Sequence, residues 1–275
     1  MNAKRIVAIL AIAAVLSLVY WPTLRWLFHS WTSNPYYSHG FLVPLVSAFF
    51  VWVKRKELKG GEPSIVGAFV VTLGVFLYIM AFVWAMRFLS AISLPIVLTG
   101  LSLSSLGVRP TRAIAFPIVF LVFMIPLPPI QELGFSLQEV SVISSAWVLD
   151  VLGMAVSTVG PEIHLGDAVF TIGLACSGIN SLIALLALGA VYAFVLDGPL
   201  YKRVIVLVAA FPIAMLSNVL RIVSIILVAN YWGVDAASGL FHDVSSPLFF
   251  LLAFLLLILL GRAIGCKLGL AASNK

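Results

Sequence analysis

The chain has 275 residues, is 63% hydrophobic and only 9% charged, and has a mean hydropathy of +1.18. A soluble domain carries about a quarter charged residues, so a soluble enzyme or binding module is excluded, and length counts here in apolar spans of ~20 residues. The net charge of +6 is carried in short loops between apolar runs, where it reports orientation in a bilayer rather than affinity for nucleic acid.

Taken in chain order, the apolar runs predict an all-α polytopic membrane protein, one integral domain over 1–275. Eight transmembrane helices are expected, at about 6–27, 38–53, 64–86, 88–107, 113–128, 176–196, 203–231 and 246–264. The first begins after Lys4-Arg5 and runs into Tyr20, Trp21 and Trp26 with no small-residue cleavage site, so it reads as a retained span rather than a signal peptide. A ninth run, 133–153, carries Glu132 at its edge, Gln138, Glu139, Ser141, Ser144, Ser145 and Asp150, too polar for a lipid-facing span. Its stripe of Leu133, Leu137, Val140, Ser144, Trp147 and Val151 predicts an amphipathic helix lying at the outer interface. Residues 154–174, rich in β-branched residues and containing Gly160-Pro161, predict an extended or hairpin segment. Together these make an outer-face segment over 129–175.

The loops support this topology. With 133–153 not crossing, thirteen of the sixteen basic residues fall on the cytoplasmic side: Lys4, Arg5, Lys54, Arg55, Lys56, Lys59, Arg109, Arg112, Lys202, Arg203, Arg262, Lys267 and Lys275. Only Arg25, Arg87 and Arg221 remain outside, as the positive-inside rule requires. Both termini are then cytoplasmic.

This topology, fixed without reference to the rarer polar residues, brings three of them to one depth. Cys176 opens span 176–196, Arg221 lies ~21 Å beyond Leu207 on the outgoing helix, and His242 precedes the last span. A thiol becomes a strong nucleophile as thiolate beside a cation or imidazole. An arginine stays protonated in low dielectric and suits an oxyanion, and a histidine moves protons near neutral pH. Each also has a plain reading: a small apolar filler, an arginine snorkelling to headgroups, a solvated loop histidine. His39, in Tyr37-Ser38-His39-Gly40, is the rival acid–base. Asn218 shares the helix face of Arg221, placed to hold the guanidinium, to hold a substrate amide, or to bond another helix.

The runs A-C-S-G-I-N-S-L (175–182), P-I-A-x-x-x-N-V-L-R-I (212–222) and F-H-D (241–243) resemble the exosortase/archaeosortase family, as do Y-S-H-G-F-L-V-P (37–44) and F-P-I-V-F-L-V-F-M-I-P-L-P (116–128). They occur in family order over roughly residues 30–260. The resemblance implies a membrane-embedded, sortase-like cysteine protease or transpeptidase. Its partners would be exported proteins with a C-terminal sorting signal of the PEP-CTERM type: a motif, a transmembrane helix and a basic tail. It would act at the outer side of the cytoplasmic (inner) membrane. The family's Cys, Arg and His carry over to Cys176, Arg221 and His242. A glycine-containing stretch usually follows that His; here Val244-Ser245-Ser246-Pro247 follows instead. Tyr37, His39 and Asn218 are candidate substrate-binding residues, and the substrate's own span would pack on Gly178, Ser181 and Ala184.

No metal or organic cofactor is expected, since no ligand spacing such as H-x-x-x-H occurs. Lipid is a partner and nucleic acid is not; oligomeric state is left open. The competing classes are a non-enzymatic transporter or an assembly factor for surface polysaccharide export, and a serine-type intramembrane protease on Ser177. A transporter would line a path to both sides from the midplane, and a serine protease needs a histidine deep in a span.

Overall fold

The computed structural model describes residues 3–59, 61–166 and 168–269, without the side chains of residues 3–6, 8, 9, 175, 238, 240, 242 and 243. The side chains of Lys4, Arg5, His242 and Asp243, and the whole of Lys275, therefore lie outside the described residues. The chain is mostly helical and divides into two compact units, Met1–Pro128 and Pro129–Lys275.

The first unit holds α1 (Ala3–Val19), α2 (Trp21–Ser33), α3 (Leu42–Val53), α4 (Ile65–Val83), α5 (Arg87–Leu106), α6 (Val108–Ala113) and α7 (Ala115–Phe120). Helices α4 and α5 form an antiparallel hairpin built on small residues. A Cβ on Gly74 would sit 2.7 Å from Val97, and one on Gly100 2.5 Å from the Val71 backbone nitrogen. Backbones approach this closely because lipid gives helices no hydrophobic reason to associate, leaving van der Waals packing to do so. Helix α2 docks on α5 through buried hydroxyls, Tyr20 with Ser93 at 2.8 Å and Thr23 with Ser90 at 2.5 Å.

The second unit holds α8 (Ile130–Val151), strands β1 (Val156–Val159), β2 (Glu162–Leu165) and β3 (Ala168–Thr171), α9 (Ile179–Val195), β4 (Leu196–Asp197), α10 (Leu200–Trp232), α11 (Val234–Ala236), α12 (His242–Ala263) and β5 (Lys267–Leu268). The expected extended segment is a three-stranded antiparallel meander with Ser157 opposite His164 and Ile163 opposite Phe170. Its turns fall at Gly160 and Gly166, both at positive φ. Helix α10 has 33 residues, so it is about 50 Å long, longer than a ~30 Å hydrocarbon core. Its stripe of Val206, Ala210 and Ala214 is buried, and Gly189 of α9 approaches Ala210. Beyond that stripe Val219, Ile222, Val223 and Ile226 form one apolar cluster with Val142 and Leu149 of α8 and Ile163 of β2.

The expected count of eight spans is matched in part. Among the described residues five helices are long and apolar enough to cross a bilayer: Pro35–Lys56, Ile65–Val83, Arg87–Leu106, Leu200–Trp232 and Val244–Ala263. A sixth arises if Leu10–Val19 and Trp21–Ser33, bent by 74°, count as one. The expected spans 113–128 and 176–196 are shorter apolar helices, Ala115–Met124 and Ile179–Val195. The cause is local. Pro22, near the start of α2, cannot donate a backbone hydrogen bond and the chain hinges before it. The run at 113–128 leaves the helix at Ile125, whose backbone is extended ahead of Pro126.

Helix α8 has two unlike faces. Of the expected stripe, Leu133, Val140, Trp147 and Val151 are exposed and Leu137 is buried, and the helix packs inward through Gly134, Leu137, Ser141, Ser145 and Leu149. Small residues permit close approach to α10, and the bulky ones point away.

Candidate active site

The site grows from the turn that leads into α9. A 3-10 turn over Leu174–Cys176 is closed by Cys176 N–H donating to the Gly173 carbonyl at 2.8 Å and Ser177 N–H to that of Leu174 at 3.1 Å. Gly178 then takes φ +86°, the left-handed conformation that reverses the chain into α9. A second constraint acts there: a Cβ on Gly178 would lie 2.8 Å from Cγ of Asn218. Glycine is therefore required both by backbone conformation and by the neighbour. The sequence expectation that Gly178 packs against a substrate helix is corrected, because Asn218 occupies that face.

Asn218 is 4% exposed. Its Nδ2 donates to the Cys176 carbonyl oxygen at 3.0 Å and to Oγ of Ser141 at 3.0 Å. Ser141 Oγ in turn donates to the Ser177 carbonyl at 3.3 Å. One amide thus joins α8, α10 and the cysteine turn. In an apolar surround such a satisfied network is strong, and costly to break. Cys176 is half-buried with a free thiol, and its apolar side rests on the α8–α10–sheet cluster.

Arg221 lies one helical turn beyond Asn218 and is 7% exposed. Nη1 donates to Oγ of Ser246 in α12 at 2.9 Å, while Nε and Nη2 have no hydrogen-bond partner among the described residues. A guanidinium stays protonated even when buried, and burying one is expensive unless its donors are met. Arg221 also lines a narrow cavity with Ser181, Ser217, Asn218, Ser246 and Phe249, and at 7% exposure its side chain is buried among helices rather than extended to the surface.

His242 is the first residue of α12, one turn before Ser246; its side chain lies outside the described residues, as does that of Asp243. Side-chain hydrogen bonds therefore tie the Cys176 turn to Asn218 and Arg221 to α12, and one turn of α10 joins Asn218 to Arg221.

Tyr37 and His39 belong to the first unit. The Tyr37 hydroxyl accepts from the Leu127 N–H at 2.8 Å, and His39 Nε2 lies 3.1 Å from the Phe123 carbonyl, for which that nitrogen is the donor. Trp31 Nε1 donates to the Met124 carbonyl at 2.8 Å. The run 37–44 thus clamps the chain at 123–127, which leaves the helix there and needs its backbone groups satisfied.

Ser141 and Ser246 are site residues the sequence reasoning did not single out; Ser177 it weighed only as the nucleophile of a serine protease. Ser246 sits in the stretch that departs from the family pattern, and Ser141 in the polar run of α8; those two oddities were the available signals. Among the described residues no group of three or more His, Cys, Asp or Glu side chains converges as a metal site.

Long apolar helices packed by small residues around buried polar groups define a multi-pass membrane protein with an internal polar site. The transmembrane exosortase family matches residues 31–259, most of the chain, and the protein belongs to that family. No curated protein and no solved structure matches it.

Proposed function

We propose that the protein is a cysteine protease or transpeptidase that cleaves C-terminal sorting signals of exported proteins, with Cys176, Arg221 and His242 as its catalytic residues. The observation that carries this reading is the Asn218 amide on the Cys176 carbonyl, one helical turn from a buried arginine with two unengaged donors. A buried guanidinium one turn from the residue that holds a thiol is suited to an oxyanion that develops only during reaction.

The Cys176 thiolate attacks the scissile carbonyl carbon. The carbonyl π pair moves to oxygen, where Arg221 Nε and Nη2 donate to it. As the tetrahedral intermediate collapses, the C–N bond breaks and the imidazolium of His242 gives its proton to the leaving amine. A thioester on Cys176 remains. Water or an amine then attacks that thioester, His242 takes its proton, and the C–S bond breaks to restore the thiolate. Substrates carry a short PEP-CTERM-like motif, one transmembrane helix and a basic tail.

The protein sits in the cytoplasmic membrane with both ends cytoplasmic and the site toward the outside. The bent pair and the two shorter helices complete eight crossings, and 129–175 lies at the outer face. The confinement of basic residues to alternate loops supports this arrangement.

The test is co-expression with such a substrate. Cys176→Ala and Cys176→Ser each abolish its size shift while the enzyme still accumulates in the membrane. Processing at the normal rate by Cys176→Ala overturns the covalent mechanism.

A further inference from the structure

The first unit carries a cavity of about 400 Å³ at the end of the α4–α5 hairpin, within the range of roughly 300–1,000 Å³ typical of small-molecule sites. Its polar lining comes from two places. Helix α2 gives Thr23, Arg25 and His29, with Trp26 beside them, and the start of α5 gives Arg87 and Ser90. Thr23 and Ser90 are bonded to each other at the floor. The turn from α4 to α5 runs through Ala85, a non-glycine residue at φ +53°, and this turn brings Arg87 to the rim.

Arg25 and Arg87 are exposed, and neither has a hydrogen bond or ion pair among the described residues. Residues 1–128 contain only two carboxylates, Glu57 and Glu62. Glu57 pairs with Lys54, and Glu62 lies against Gly107 beyond the other end of α5. The arginine pair is therefore uncompensated. It also sits at the opposite end of the hairpin from Arg109 and Arg112, which follow α5. Two guanidiniums, an imidazole and two hydroxyls with no acid nearby form a receptor for a phosphate, which arginine grips through paired donors. The flanking surface decides what carries that phosphate. Phe82, Val83 and Trp84 are exposed beside the cavity, and α4 and α5 are both candidate spans, so the site opens at a bilayer interface where tryptophan gathers.

We propose that this cavity binds the phosphodiester headgroup of an anionic phospholipid, with Arg25 and Arg87 on the phosphate and the acyl chains along α4. This site is separate from the cysteine chemistry and does not depend on it.

Native mass spectrometry of the full-length, delipidated protein in detergent tests this. Phosphatidylglycerol is added, or the diacylglycerol with the same chains, or phosphatidylglycerol with excess inorganic phosphate. One phosphatidylglycerol adduct is expected, with affinity falling about tenfold or more in the Arg25→Gln/Arg87→Gln double variant. The Arg25→Lys/Arg87→Lys variant loses clearly less affinity than the glutamine variant, because it keeps the charge and gives up only the paired donors, which separates lost charge from lost fold, and Arg55→Gln leaves it unchanged. Diacylglycerol binding as tightly as phosphatidylglycerol overturns the proposal, as does equal loss in the glutamine and lysine variants. Displacement of the lipid by inorganic phosphate assigns the site to free phosphate and overturns its assignment to lipid.

Discussion

The side-chain amide of Asn218 donates to the carbonyl oxygen of Cys176 at 3.0 Å and, from the same nitrogen, to Ser141 at 3.0 Å. The turn that presents the thiol is therefore held by α10 itself, the helix that carries Arg221. Replacing Asn218 with Leu keeps most of its volume and removes both bonds, leaving a buried carbonyl without its donor, at a cost of ~1–3 kcal/mol. Substrate processing is expected to fall by about tenfold to a hundredfold, with the protein still in the membrane. The rate of Cys176 alkylation is expected to change as well, since the turn is released. Unchanged processing and alkylation in Asn218→Leu would remove Asn218 as a positioning residue.

Gly178→Ala tests the same contact from the other side. The added Cβ must sit 2.8 Å from Asn218 Cγ at a φ of +86°, and Asn218 cannot move aside without giving up two hydrogen bonds. Strain of ~1–3 kcal/mol is expected, read as a lower melting temperature in detergent together with a loss of processing. Gly160→Ala serves as the control: it is also at positive φ but has open space around its Cβ, so it meets only the backbone penalty and processing is retained.

The helices could be read from hydropathy because bilayer thickness dictates the length of an apolar run: 203–231 and 88–107 correspond to Leu200–Trp232 and Arg87–Leu106. Hydropathy does not register where backbone hydrogen bonding stops. That is why 6–27 hides a 74° bend before Pro22, and 113–128 shrinks to Ala115–Met124. Cys176, Asn218 and Arg221 stood out because polar groups are expensive in an apolar run. Ser141 and Ser246 did not, since a serine on a membrane helix commonly bonds its own backbone, as Ser224 does to Leu220. In α8 the bulky apolar stripe was legible but the inward-packing face was not, because close approach between membrane helices depends on small residues that hydropathy does not mark.

Arg221 separates charge from geometry. Arg221→Lys keeps the charge but loses the planar fork, including the Nε and Nη2 donors that have no partner among the described residues. A fall in processing of about a hundredfold or more is expected, comparable to removing an oxyanion donor. Ser246→Ala removes the one bond made by Nη1 and is expected to cost only about tenfold or less, since the guanidinium stays in place. The measured order should be Arg221→Lys far below Ser246→Ala; near-normal turnover by Arg221→Lys would make the guanidinium structural.

The two histidines are expected to fail in different ways. His39 is spent on the Phe123 carbonyl, in the same clamp as Tyr37 and Leu127, so His39→Ala and Tyr37→Phe lower thermal stability by ~1–3 kcal/mol each. Processing per folded molecule then stays within severalfold of normal. His242 begins α12 one turn from the serine that holds Arg221, and as the acid–base its replacement by Ala leaves melting unchanged and stops turnover. If His242 is the proton donor, an activated thioester substrate, whose leaving group needs no proton, restores acylation of Cys176 in His242→Ala. It does not restore processing in Cys176→Ala. Rescue of His39→Ala rather than His242→Ala by that substrate would exchange their roles.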